Sequence, residues 1–393
     1  MASNQALGLR APIIAGAVAS ITGTAATTAI FLSAFVAIGA TKEQTISMVA
    51  IMLVFYGALS IFLSWRHKMP LSVVWSTPGA ALLAGSSLTG VGFANVMGGI
   101  LITGFLLALT GLWPKLGELV SRIPKSIASA MLAGVIFNFC VAPFIASASY
   151  PTLVLPVIAV WILLYWLAPL WASPVAIVLA FTLIGINQGL SVSPSDWLIG
   201  INMVQPEFSI ASVFSIALPL YLVAMASQNI PGIAIMKSFG YEVPFFSSLV
   251  TTGLGTVVAS FFGGFVMNLA AITAALNANE QAHKDPAKRW IASVSGGLVY
   301  WLFAVFAGIA VAFVYQTPRE LLLAASGLAL LPTIVNSFNV MVETAEQRLP
   351  AVITFLVASS GVAFFSVGAA FWAILLGLAL IALLKLRNPF KKA

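Results

Sequence analysis

Leu71-Ser72-Val73-Val74-Trp75-Ser76-Thr77-Pro78-Gly79-Ala80-Ala81-Leu82-Leu83 is an apolar run broken at its centre by a proline and a glycine. Pro78 has no backbone donor and disfavours helix at Thr77, yet it suits the first turn of a helix that starts beside it. The run therefore reads as a chain that arrives extended from Leu71 and begins a half-helix near Pro78, with Ser76 and Thr77 placed to cap it. The alternative is a proline kink healed by the Ser and Thr hydroxyls. The whole run, 71–86, is short for a full span, which favours the half-helix.

A matching run lies at 264–279. Gly263-Gly264-Phe265-Val266-Met267-Asn268-Leu269-Ala270-Ala271-Ile272-Thr273 carries two glycines, an isolated amide and then a helical stretch. Asn268 reads as an N-cap at membrane depth, or else as one end of an interhelical hydrogen bond. A third constellation is Ser227-Gln228-Asn229-Ile230-Pro231-Gly232. Two adjacent amides inside an apolar run are costly unless paired, so they line a polar cavity or act as bundle glue ahead of a helix end. The hydroxyls Ser20, Thr22, Thr24, Thr27 and Thr28, with Gly16 and Gly23, read as small-residue helix packing.

Around these stretches the chain is almost entirely apolar. Of 393 residues 61% are hydrophobic and 7% charged, where soluble domains run near a quarter charged. The charges nowhere gather into the surface of a soluble domain, so the chain is a membrane domain throughout. Candidate spans fall at 11–36, 45–65, 71–86, 91–113, 126–147, 150–171 and 173–190, and after a polar connection at 210–235, 243–262, 264–279, 289–315, 319–341, 350–367 and 369–386. With the N-terminus inside, fifteen of the 17 Lys and Arg lie in cytoplasmic segments and only Lys42 and Arg319 outside. That asymmetry supports an even count and puts both termini in the cytoplasm. Seven spans per half turn the second half upside down relative to the first, an inverted repeat of 1–190 and 210–393 joined by 191–209. Arg122-Ile123-Pro124-Lys125 and Gln316-Thr317-Pro318-Arg319, each a proline followed by a base at a helix start, are a trace of it.

Composition also excludes chemistry. The ten Asp and Glu, with His67 and His283, fall in connections or at span ends. No intramembrane protease, hydrolase or prenyl transferase can be built without such groups at depth, and a side-chain proton relay is missing too. Cys140 is the single cysteine, which rules out an intramolecular disulfide or a cysteine metal cluster. Nothing calls for a cofactor. The net charge of +7 is scattered over short loops, so it reports topology in a lipid bilayer and no nucleic-acid surface.

Trp75 to Leu83, together with Ala217-Leu218-Pro219-Leu220 and Met225-Ala226-Ser227-Gln228-Asn229-Ile230-Pro231-Gly232-Ile233-Ala234, resembles the bacterial benzoate:proton symporter family. Arg122-Ile123-Pro124, Ala130-Met131-Leu132-Ala133-Gly134 and Ala270-Ala271-Ile272-Thr273-Ala274-Ala275 extend the likeness, which runs end to end. More distantly the chain is similar to nucleobase transporters and sulfate-type anion exchangers. The resemblance implies a polytopic helical fold of fourteen segments in two inverted sevens. Segments 3 and 10 would begin as short strands, a core domain would comprise segments 1–4 and 8–11, a gate domain 5–7 and 12–14, and two copies would form a dimer. In the nucleobase branch two acids hold substrate. Their positions fall here on Gln228 and beside Asn268, near Met267, and neither acid is present, which argues against a neutral nucleobase.

A site made of Trp75, Ser76, Thr77, Pro78, Gln228, Asn229, Met267, Asn268 and Leu269 follows. Helix N-termini supply partial positive charge, amides and hydroxyls donate to a carboxylate, and Trp75, Phe262 or Phe265 could face an aromatic ring. The expected function is import of benzoate or a similar aromatic carboxylate, with a proton, across a bacterial inner membrane. The alternatives are an organic-anion exchanger or uniporter without proton coupling, an ion channel, and an intramembrane enzyme.

Overall fold

The computed structural model describes residues 2–85, 91–188, 193, 197, 199–365 and 367–387. The expected boundary at 190/191, together with Asp196, Lys391 and Lys392, lies outside the described residues. The first half contains α1 (Ala2–Ala37), α2 (Lys42–His67), β1 (Val73–Trp75), α3 (Thr77–Gly85), α4 (Phe93–Leu112), α5 (Pro114–Ser121), α6 (Lys125–Ser149), α7 (Pro151–Leu167) and α8 (Pro169–Gln188). The second half opens with one irregular helix over 212–238, whose α-helical parts are α9 (Leu218–Ala224) and α10 (Ile230–Ser238). It continues with α11 (Phe245–Ser260), β2 (Met267–Leu269), α12 (Ile272–Ala278), α13 (Trp290–Val305), α14 (Ala307–Tyr315), α15 (Arg319–Glu343), α16 (Arg348–Ser360) and α17 (Ala369–Arg387).

Every expected apolar run thus carries helix. By length and composition six helices, the irregular one included, can cross a membrane alone, and two bent pairs can do so together. The expected eleventh span is one of these pairs, since α13 and α14 meet at 57°. Short α5, expected as part of a connection, is a separate helix beside α4.

Local chemistry explains several boundaries. Thr41 and Gln44 form a capping box at the start of α2, the Thr41 hydroxyl accepting from the Gln44 backbone and the Gln44 side chain from that of Thr41. Pro124 and Pro318 take nearly the same backbone conformation (φ −57°, ψ 131° and φ −54°, ψ 137°), and each starts a helix of 25 residues, α6 and α15. In the irregular helix, the turns Ser212–Ala217 and Met225–Asn229 are π-helical, and each ends two residues before a proline, Pro219 or Pro231. A proline ring pushes away the carbonyl four residues back, here Ser215 or Ser227, and a widened turn makes room without breaking the helix. The Pro231-Gly232 pair therefore does not end the helix.

The helices pack in two groups. In one, α4 lies on α11, α2 on α13, and α1 on α3 and α13; in the other, α6 lies on α15 and α16, α7 on α8, and α16 on α17. The first group holds both strands. Gly104 and Gly253 set the α4–α11 approach, because a Cβ on either would stand 2.8 or 2.6 Å from the other's carbonyl oxygen. Residues 202–207 cross the ends of this group as a strap, with Asn202 N–H on Ser47 Oγ (3.0 Å), Val204 N–H on Phe261 O (2.7 Å) and Glu207 N–H on Ala94 O (3.0 Å).

Candidate functional site

β1 and β2, one from each half, pair antiparallel with Val73 opposite Leu269, Val74 opposite Asn268 and Trp75 opposite Met267. A two-stranded sheet inside a helical bundle has two open edges, and in a low-dielectric interior each unpaired backbone group costs several kcal/mol. Side chains close both edges. On β1, Ser60 Oγ accepts from Val73 N (2.8 Å) and donates to Val73 O (3.2 Å), while Ser64 Oγ donates to Leu71 O (2.8 Å). On β2, Thr256 Oγ1 accepts from Met267 N (3.0 Å) and Asn229 Oδ1 from Leu269 N (2.9 Å). Segment 2 thus serves β1 as segment 9 serves β2. The ladder continues with Ala270 N–H on Ser72 O (2.9 Å).

From opposite ends of this sheet the chain enters α3 and α12. Antiparallel pairing over three residues separates the two helix starts by roughly 10 Å. Ser76 is fully buried, and its Oγ accepts the Gly79 N–H (3.1 Å), so it caps α3 as the sequence suggested; Thr77 opens the helix and Pro78 sits in its first turn. Asn268 does not cap α12. It lies in the middle of β2, because the strand pairing needs 267–269 extended, and the cap position falls on Ala271, which makes no side-chain cap bond.

The remaining candidates divide by what already occupies them. Trp75 is enclosed, its ring centroid 5.2 Å from Phe31, 5.6 Å from Tyr56 and 6.0 Å from Tyr300. Phe265 is buried against Phe35. Trp75 and Phe265, two of the three expected ring-facing residues, are therefore core packing in this conformation, while Phe262 is half-buried in the turn before β2. Met267 and Leu269 are buried on the same face. The Asn229 amide is spent internally, its Nδ2 donating to Ala224 O (3.2 Å) while Oδ1 holds Leu269. Two amides are left with capacity. Asn268 Nδ2 donates to Leu269 O (3.2 Å), but its Oδ1 is buried without a partner. Gln228 is half-buried, and its side chain forms no hydrogen bond among the described residues. The Asn229–Leu269 bond brings these two neighbours to one junction.

Two polar features were missed. Asn277 is fully buried, its Nδ2 shared between Ser72 Oγ (3.0 Å) and Ser293 Oγ (3.2 Å), which bond each other at 2.8 Å. Arg289, only 5% exposed, forks onto the carbonyls of His283 (2.6 Å), Ala278 (2.7 Å) and Lys284 (3.5 Å), closing the C-terminal end of α12. The lone amide at 277 was a sequence signal for the first; nothing in the sequence marked Arg289 as buried. Among the described residues no group of three or more His, Cys, Asp or Glu could hold a metal.

Two cavities flank the region. One of about 100 Å³ lies between Ser33, Ala84, Tyr315 and Leu322, and a wider one of about 410 Å³ opens beside α5 and the π turn at 225–229.

The fold that holds this uncharged junction is shared with solved membrane proteins. It matches the transmembrane domain of a cyanobacterial bicarbonate transporter, BicA, with TM-score 0.57 at 16% identity, covering 88% of this chain and 96% of that one. It also matches the murine solute carrier 26 family member A9 anion transporter in its inward-facing state, with TM-score 0.59 at 14% identity over 96% of this chain and 69% of that one. These likenesses show the fold, that of a mostly helical, multi-pass membrane protein of the seven-plus-seven kind.

More particularly, residues 9–383 match the family described as BenE, benzoate membrane transport protein, and the chain belongs to that family. It is 35% identical to the benzoate membrane transport protein of Acinetobacter baylyi over 383 residues, 95% of each chain. It is 34% identical to the inner membrane protein YdcO of Escherichia coli over 367 residues, 93% of each. The family is one of transporters, so the expectation that the chain is not an enzyme holds.

Proposed function

We propose that the protein imports benzoate or a similar aromatic carboxylate by alternating access across the bacterial inner membrane, taking a proton with it. In this reading the repeats 1–190 and 210–393, joined by 191–209, interleave into a core of segments 1–4 and 8–11 that moves against a gate of segments 5–7 and 12–14, with both termini cytoplasmic and two copies forming a dimer. The observation that carries it is the pair of amides with unspent capacity, Asn268 and Gln228, in a junction without any charged side chain. The name of the Acinetobacter relative supports the substrate class.

The α3 N-terminus, with roughly half a positive charge, and the amide donors offset a monoanion without Lys or Arg. Proton coupling then needs no resident acid, because a carboxylic acid titrating near pH 4 can carry the proton itself. Calorimetric titration of benzoate from pH 5 to 8, with Asn268→Ala and Gln228→Ala in parallel and uracil as the contrasting ligand, tests this. Affinity rising about tenfold per unit fall in pH is the expected result. Absence of benzoate binding at every pH overturns the substrate, and tight uracil binding replaces it.

A second reading, exchange or uniport of an organic anion without a proton, is favoured by the same absence of acid at Gln228 and Asn268. Under it, binding is flat with pH and lost in both variants, and unlabelled anion inside vesicles drives counterflow.

A further inference from the structure

The 410 Å³ cavity differs in character from the junction it adjoins. Its lining is mostly apolar, including Met225, Ile230 and Phe245, and its charged groups are Glu118 and Arg122. A concave, largely apolar space of this size with a few convergent polar groups has the make-up of a small-molecule site. Met225 and Ile230 bracket the π turn that carries Gln228, so one wall of the cavity is the helix that bears this amide. Another wall is α5. Gly117 lets α5 lie against Phe245, since a Cβ there would stand 3.1 Å from the ring's ζ carbon. Arg122 is exposed and makes neither an ion pair nor a side-chain hydrogen bond among the described residues, and neither does Glu118 one helical turn before it.

We infer that this cavity is a second, weaker subsite for an aromatic monocarboxylate, in which the Arg122 guanidinium receives the carboxylate while Phe245 and Ile230 receive the ring. The inference rests on the proposed substrate class. A planar guanidinium matches a carboxylate bidentately, and an unpaired one beside an apolar wall is suited to an anion with an apolar body. Lys115 and Lys125 border α5 and Arg122 in sequence, which puts the subsite at the cytoplasmic mouth of the path. Glu118 sets the strength: its negative charge near Arg122 keeps the anion in transit, so the subsite passes substrate on and does not trap it.

Titration of benzoate into the purified full-length protein is the test, with benzamide, the neutral isostere, beside it. The wild type is expected to show two classes of benzoate site, the weaker absent for benzamide. Arg122→Gln should weaken only the weaker class, about tenfold, and Arg122→Lys should restore part of it. Glu118→Gln should tighten that class about two- to threefold, a gain that damaged folding cannot produce. Asn268→Ala should abolish only the stronger class. A wild type with one class, lost in Asn268→Ala and indifferent to Arg122→Gln and Glu118→Gln, overturns the subsite and leaves the transporter reading standing. A wild type that binds no benzoate overturns both.

Discussion

Asn229 and Leu269, 40 residues apart, are joined by one hydrogen bond of 2.9 Å from the strand's backbone N–H to the amide oxygen of a fully buried side chain. The same amide bonds back to Ala224 O, so a π turn of the irregular helix and the edge of β2 share one group. Asn229→Leu leaves the Leu269 N–H buried and unpaired, at a cost of about 1–3 kcal/mol. Thermal unfolding in detergent should fall accordingly and benzoate binding should weaken with it. A variant that melts and binds as the wild type contradicts the role given to this bond.

At the α4–α11 crossing, Gly104→Val has no room, because the opposing Gly253 carbonyl occupies the place of the new side chain. Overpacking of this kind costs about 1–3 kcal/mol. The expected outcome is a lower melting temperature for Gly104→Val, with Gly92→Ala, at a position open within 4 Å, as the neutral control.

Arg289 satisfies three carbonyls with a planar fork that an ammonium group cannot reproduce. Arg289→Lys should lose about 1.5–3 kcal/mol, and hydrogen exchange should quicken over 278–284 ahead of the rest of the core. Uniform exchange along the chain is the contrary result.

Tyr241 lies in the turn between α10 and α11 and donates to Pro286 O at 2.9 Å. Burial raises its pKa above the ordinary tyrosine value, as does the Asp285 charge, while Arg289 pulls it back. A raised folded-state pKa means that the protein holds this proton more tightly than the unfolded chain does. The stability it contributes is therefore complete below about pH 10 and is lost as pH climbs through the folded value. Tyr241→Phe should cost about 0.5–1.5 kcal/mol at pH 8 and should flatten the alkaline decline. Parallel declines for both proteins above pH 10 would assign that loss to another group.

Much of this was legible because apolar runs, prolines and amides act locally. Pro78 and Ser76 announced a half-helix, and the matched prolines at 124 and 318 announced equivalent helix starts. Asn268 was legible as a polar group at depth but misread as a cap, because its partner is Val74 in the other half and strand register is a long-range property. The same reason hid the enclosure of Trp75. A tryptophan beside helix breakers looks available to a ligand until Phe31, Tyr56 and Tyr300 are brought around it by α1, α2 and α13. The π turns escaped because a proline in an apolar run predicts a kink, and only the packed helix shows it absorbed by a widened turn.

The sheet that joins the halves also imposes an order on how the protein is made. Val74 leaves the ribosome roughly 190 residues before its partner Asn268, which at about 5–20 residues per second is roughly 10–40 s. Through that interval the nascent first half holds an extended strand whose inner edge has no mate. The hydroxyls of Ser60 and Ser64 can settle the outer edge at once, since α2 precedes β1, but the inner edge must be tended by water or the insertion machinery until β2 arrives. A chain interrupted after α8 keeps that edge open and is a natural target for quality control.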